Sequence, residues 1–169
     1  VTKKREEMKR GIMKTYFQNA NDDHNKILAR QEMIEQRKEL INRIKAKGYR
    51  VVLATNPLFP AAATESRIRW AGLEPSDFEI YTTYEYAHYC KPNPQYYQEI
   101  LNKLQLTPEE CLMVGNDVSD DMAAKQLGMK VFLLTDCLIN KYGADISVYP
   151  HGSYDELNTF IDGLGNDIK

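Results

Sequence analysis

The chain has 169 residues, 43% of them hydrophobic and 27% charged, enough to bury one core and too few to expect two. A formal net charge of -2 and a pI near 6.0 give no global attraction to polyanions. Neither nucleic acid nor an anionic membrane is therefore expected as a partner, and a small soluble ligand fits better.

Cys90, Cys111 and Cys137 are widely spaced and form no CxxC pair, which argues against a disulfide framework and a zinc site. The same cysteine pattern makes a reducing cytoplasm the expected compartment; no apolar run reaches the roughly 18 residues of a spanning helix and no charged-then-apolar leader is read, so neither a spanning helix nor a signal peptide is expected. The first residue is Val1, not methionine, which raises the expectation of sequence upstream.

Residues 1–47 read as a helical segment and 48–169 as an α/β core. Lys3 to Arg10 is a mixed-sign, solvated stretch, and Asn19 to Asn25 breaks the helical pattern. From Lys26 to Lys47, Ile27, Leu28, Met33, Ile34, Leu40, Ile41 and Ile44 recur at helical spacing, and Gly48 is a natural stop.

Tyr49 to Ala54 is a short apolar run bounded by Gly48 and the Thr55-Asn56-Pro57 turn, as expected of a buried strand. A helix is predicted from Ala61 to Ala71, with Trp70 at or near the core, and a weaker strand from Ser76 to Thr82. Tyr81, Tyr84, Tyr86 and Tyr89 are expected to cover a sheet edge, and His88 to sit in a partly exposed loop. Pro92 and Pro94 then punctuate the chain before a helix over Gln95 to Leu104. Cys111 to Val114 is a further strand, followed by the loop Gly115-Asn-Asp-Val-Ser-Asp-Asp121, a helical stretch from Met122 to Leu127 stopped by Gly128, and a strand from Lys130 to Leu134. Strands alternating with helices at this spacing predict a three-layer α/β/α, Rossmann-like parallel sheet. In such sheets the chemistry collects at the carboxyl ends of the strands.

Three polar signatures lie at those ends or in loops: Thr55-Asn56, Lys91-Pro92, and Gly115-Asn116-Asp117 with Asp120-Asp121. A hydroxyl and neighbouring backbone N–H groups suit phosphate oxygens, a lysine balances their charge, and clustered carboxylates suit a magnesium ion. Each alone has a simpler reading: a turn at Asn56-Pro57, a surface lysine at Lys91, helix capping by Asp117. Asp136-Cys137 either lines the site or belongs to an ordinary loop.

Ala54-Thr55-Asn56, Lys91-Pro92 and Gly115 to Gly128 resemble, in order, the second, third and fourth motifs of the haloacid dehalogenase (HAD) superfamily. The resemblance covers roughly residues 40–140 and implies a HAD-like fold and a phosphatase acting on a small phosphorylated substrate with Mg2+. It implies that Thr55 binds the transferring phosphoryl group beside Asn56, that Lys91 stabilises charge, and that the metal is held by Asn116 or Asp117 with Asp121 as second acid. The residues before Gly48 would be the remains of a helical cap and a lead-in helix.

Members of the superfamily also carry an Asp-x-Asp motif whose first aspartate is the nucleophile, and nothing before Thr55 fits it. The expectation is a phosphohydrolase whose nucleophile segment lies outside this sequence. The alternative is a non-catalytic relative that binds a phosphorylated ligand or a protein partner. A phospho-receiver module is disfavoured because the acidic loop follows Lys91 instead of preceding Thr55. The pattern carries no mark of substrate identity or oligomeric state.

Overall fold

The computed structural model describes residues 26–165, and the expectations for Lys3 to Arg10 and Asn19 to Asn25 lie outside them. Helix α1 occupies 26–46 of the described chain. It ends where Gly48 adopts φ +85°, with the Tyr49 amide donating to the Ile44 carbonyl at 3.3 Å and the Gly48 amide to Lys45 at 2.9 Å. This closure needs a left-handed residue after the helix, which glycine adopts without strain. Ile27, Leu28 and Met33 are exposed, whereas Leu40 is buried, so only the C-terminal half of α1 is held against the core.

Five strands follow: β1 (Val52–Leu53), β2 (Ile80–Tyr81), β3 (Leu112–Gly115), β4 (Lys130–Leu134) and β5 (His151–Gly152). They form two all-parallel sheets, β1-β2 and β3-β4-β5, where one continuous sheet was expected. Leu112 pairs with Lys130 and Gly115 with Leu133.

Helices α2 (Ala61–Trp70), α3 (Pro94–Leu104) and α4 (Tyr154–Asp162) cover the sheets together with α1. Asn93 caps α3 by accepting from the Gln95 amide at 2.9 Å, with Pro94 in the first turn, where its missing N–H costs nothing. Ser153 and Glu156 form a reciprocal capping box at α4.

The layers are visible along β4. Val131 and Leu133 pack into one cluster with Tyr96, Tyr97 and Ile100 of α3, while Phe132 packs into another with Leu40, Leu157 and Ile161. Alternate residues buried on both sides mark a doubly covered parallel strand, and with it the expected α/β/α arrangement.

One predicted element differs. Ser76 to Thr82 yields strand only at Ile80–Tyr81, because Pro75–Asp77 winds into a 3₁₀ turn. Met122–Leu127 is helical as expected, wound as 3₁₀ and stopped by Gly128. Ala123 and Ala124, both buried, let it press closely on α3 and β4.

Trp70 was expected at or near the core and is 70% exposed. The buried residues of α2 are Thr64 and Ile68, and a residue two positions beyond Ile68 points to the opposite side of the helix. Tyr84, Tyr86 and Tyr89 are also exposed instead of covering a sheet edge, although Tyr81 lies in β2.

Candidate active site

The three polar signatures converge at the carboxyl ends of β1 and β3. Thr55 and Asn56 follow β1, Lys91 comes from the loop before α3, and residues 115–121 follow β3. Lys91 Nζ donates to Asp121 Oδ1 at 2.6 Å, with both side chains only 8% exposed. The other Asp121 oxygen accepts the amides of Asn116 at 2.9 Å and Asp117 at 3.0 Å. A buried carboxylate is thus satisfied on both oxygens, by a charge-assisted bond and by two N–H groups of its own loop.

Gly115 makes this closure possible, since a Cβ there would run into the Asp121 carboxylate. Asn56 links the other two segments. Its Oδ1 accepts from the Lys91 amide at 3.2 Å, and its Nδ2 donates to Asp120 Oδ2 at 3.4 Å.

Asp117 folds the loop: its Oδ1 accepts the amides of Ser119 at 2.8 Å and Asp120 at 2.9 Å, as a short side chain does at a turn. Burial, then repulsion from Asp117 and Asp121, hold the Asp120 carboxyl above its usual value, partly countered by Lys91.

The 136–139 segment borders the site. Cys137 accepts from Asn116 Nδ2 at 2.7 Å, and Asp117 and Ile139 form a parallel bridge. Asp136 accepts the Tyr154 amide at 2.8 Å, at the start of α4.

Two tyrosines that the sequence reading passed over hold the loops in place. Tyr96 Oη donates to the Thr55 carbonyl at 2.7 Å and lies 3.0 Å from Thr82 Oγ1, while Tyr97 Oη donates to the Asp120 carbonyl at 2.5 Å. Both are fully buried side chains, and burial raises both phenol pKa values well above the usual range. They remain neutral donors. Their signal in the sequence was the buried stripe of α3, but nothing there marks the remote carbonyls they reach.

His88 is 82% exposed and pairs with Glu99 at 2.8 Å, outside the convergence described.

Among the described residues no group of three or more His, Cys, Asp or Glu comes together as a metal site. Asp121 spends both oxygens on Lys91 and the loop amides, and Asp117 spends one on the loop. The side-chain oxygens that this bonding leaves on the loop include the Asn116 amide oxygen, the second oxygen of Asp117 and Asp120 Oδ1. That set fits a magnesium ion, which is held by one or two protein oxygens together with water and phosphate oxygens. It does not fit an all-protein cage.

The model of the haloacid dehalogenase-like hydrolase family matches residues 2–128. Pyrophosphatase PpaX of Bacillus cereus is 28% identical over 119 residues, 70% of this chain and 52% of that protein. In fold the chain is similar to a predicted phosphoglycolate phosphatase from Haemophilus somnus, with a TM-score of 0.60 and 24% identity over 73% of this chain and 54% of that one. It is also similar to a HAD phosphatase from Thermococcus onnurineus, with a TM-score of 0.58 and 22% identity over 73% and 55% of the two chains. The chain spans about half the length of the curated relatives it matches. With the family model matched over most of its length, the chain belongs to the haloacid dehalogenase-like hydrolases.

Proposed function

We infer that this chain carries most of the phosphate-handling site of a magnesium-dependent phosphohydrolase. Its substrate would be a small phosphomonoester, hydrolysed through an aspartyl-phosphate formed on a carboxylate outside the 169 residues. The observation that carries this reading is the buried Lys91 ammonium, fixed by Asp121 at the carboxyl ends of two parallel strands, with the Lys91 backbone amide held by Asn56. A positive charge held rigidly there is preorganised for a transferring phosphoryl group, whose stabilisation is mostly positional and electrostatic.

The Thr55 hydroxyl and nearby amides would bind phosphoryl oxygens. Asn116 and Asp117 would hold the magnesium ion, which when bound neutralises phosphate charge. Asp121 then acts chiefly by positioning Lys91 and the loop amides. Burial first and carboxylate crowding second raise the Asp120 pKa, and a nearby divalent cation relieves the crowding.

Without a nucleophilic aspartate before Thr55, the 169 residues alone are expected to bind phosphate without turning it over. The test is phosphate release, with and without magnesium, by the natural protein that contains this chain. Pyrophosphate belongs among the substrates tried, given the PpaX relatives. Absence of magnesium-dependent turnover on every phosphate ester tried would count against the reading.

A further inference from the structure

A cavity of about 370 Å³ opens beside β2, and none of Thr55, Asn56, Lys91 or the acidic loop lines it. Ile80, Tyr81 and Thr82 all border it. Consecutive side chains of a strand point to opposite faces, so the cavity meets β2 at its edge and not at one face. Among the described residues β2 pairs with β1 alone. The Thr82 amide donates to the Leu53 carbonyl at 3.1 Å, toward β1. By the same alternation the amide and carbonyl of Tyr81 turn to the cavity.

The rest of the lining includes Tyr86 and, from α3, Tyr96 and Ile100. Its polar side chains already have partners. Tyr81 Oη donates to Glu65 at 2.8 Å, and the Tyr96 and Thr82 hydroxyls donate to the Thr55 carbonyl at 2.7 and 2.5 Å. At the mouth Glu99 pairs with His88 at 2.8 Å and Lys103 at 3.1 Å, while Glu85 accepts the Ala61 amide at 3.0 Å. With its charged groups engaged in these pairs, the mouth favours an uncharged ligand. The directional hydrogen bonds that the edge offers come from the Tyr81 backbone, one donor and one acceptor on the same side of the strand. A flat ring with the reverse pair on its rim answers both and packs its faces against tyrosines. The volume lies at the small end of ligand pockets and suits one or two rings.

Thr82 and Tyr96 stand between this cavity and the phosphate site. Their hydroxyls lie 3.0 Å apart on the Thr55 carbonyl, and Lys91 Nζ is 5.8 Å from the Tyr96 ring centroid. A guest pressed against both side chains therefore acts on the rigid peptide unit that joins Thr55 to Asn56.

We propose that this cavity binds a neutral planar heterocycle with an N–H donor beside a carbonyl acceptor, and that its occupancy is transmitted to Thr55 through Thr82 and Tyr96. The cavity and its ligand class stand on β2 and α3 alone. That occupancy regulates phosphate transfer rests on the phosphohydrolase reading.

The test titrates the natural protein containing this chain with uracil, which carries that donor–acceptor pair, and follows backbone amide resonances by NMR. The comparison ligand is the N,N′-dimethyl derivative, which keeps the ring and loses both donors. One-to-one binding of uracil is expected, with the dimethyl compound weaker by at least about tenfold. Ala87→Trp, which places an indole in the cavity, should weaken uracil by a similar factor. The Asn56 amide, whose nitrogen shares a peptide unit with the Thr55 carbonyl, should shift with the same midpoint as that of Tyr81. At saturating uracil the KM for a phosphate ester should change by at least about fivefold, the lower range of coupling between two sites. No saturable binding up to about 10 mM, equal binding of the dimethyl compound, or binding that Ala87→Trp leaves unchanged overturns the cavity site. An Asn56 amide that stays still at saturation, or turnover indifferent to uracil, overturns the transmission. Uracil binding in a protein that releases no phosphate leaves the cavity site standing and overturns the phosphohydrolase reading instead.

Discussion

Replacing Lys91 with alanine removes the counter-charge of a carboxylate that is only 8% exposed. Removing one partner of a buried ion pair costs about 3–5 kcal/mol, because the other charge is left uncompensated in a poorly solvating place. Asp121 keeps two amide hydrogen bonds on its second oxygen, which places the expected loss near the lower end, about 3 kcal/mol. For a domain of this size that corresponds to a fall in Tm of about 6–12 °C.

Urea denaturation of the wild type, Lys91→Ala, and the double variant Lys91→Met with Asp121→Asn measures the loss. The double variant is expected to be more stable than Lys91→Ala, since it leaves no charge behind. A Lys91→Ala protein within about 0.5 kcal/mol of wild type, the range of ordinary surface substitutions, would refute the buried-pair argument.

Gly115→Ala is expected to unseat the Asp121 carboxylate. It should lower stability and also shift the backbone amide resonances of Asn116 and Asp117 in NMR spectra. Tyr97→Phe removes the hydrogen bond to the Asp120 carbonyl and should cost about 1–2 kcal/mol in urea denaturation, while Trp70→Ala, at a 70% exposed position, should fall within about 0.5 kcal/mol of wild type.

Glu99 gives the pH dependence. Burial pushes its carboxyl up, but the His88 amide, the His88 ring and Lys103 outweigh this and bring it from 4.5 down to about 2. A depressed acid stabilises the fold above its unfolded value and loses that contribution as pH falls through its folded value. The stability difference between wild type and Glu99→Gln should therefore be constant near neutrality and shrink between about 4.5 and 2. A difference that stayed flat across that window would count against the assignment.

The elements that could be read from the sequence are those whose local and global signals agree. Val131 to Leu134 is an unbroken apolar run soon after Gly128, and the strand covers Lys130–Leu134 as predicted. Asn93 and Pro94 mark the start of α3 within one residue of the predicted boundary. Trp70 misled because aromatic bulk was read as burial. The stripe that decides α2 contains Thr64, a polar residue that conceals the buried face.

The site was legible as three separate signatures in order, and the structure brings them together. The division of labour within the acidic loop was not. Which of Asp117, Asp120 and Asp121 meets Lys91 depends on the turn that Gly115 permits and Asp117 folds, a backbone property that composition does not encode. The tyrosine tethers were equally invisible, because Tyr96 and Tyr97 reach carbonyls 41 and 23 residues away in sequence.

The most direct test of the phosphohydrolase assignment is phosphate release from small phosphomonoesters by the natural protein containing this chain, measured with and without magnesium, beside its Lys91→Ala variant. Removing a preorganised charge stabiliser of this kind typically costs about 10²–10³-fold in rate. The account predicts magnesium-dependent turnover that falls by at least that factor in the variant, whereas turnover at the wild-type rate in Lys91→Ala would contradict it.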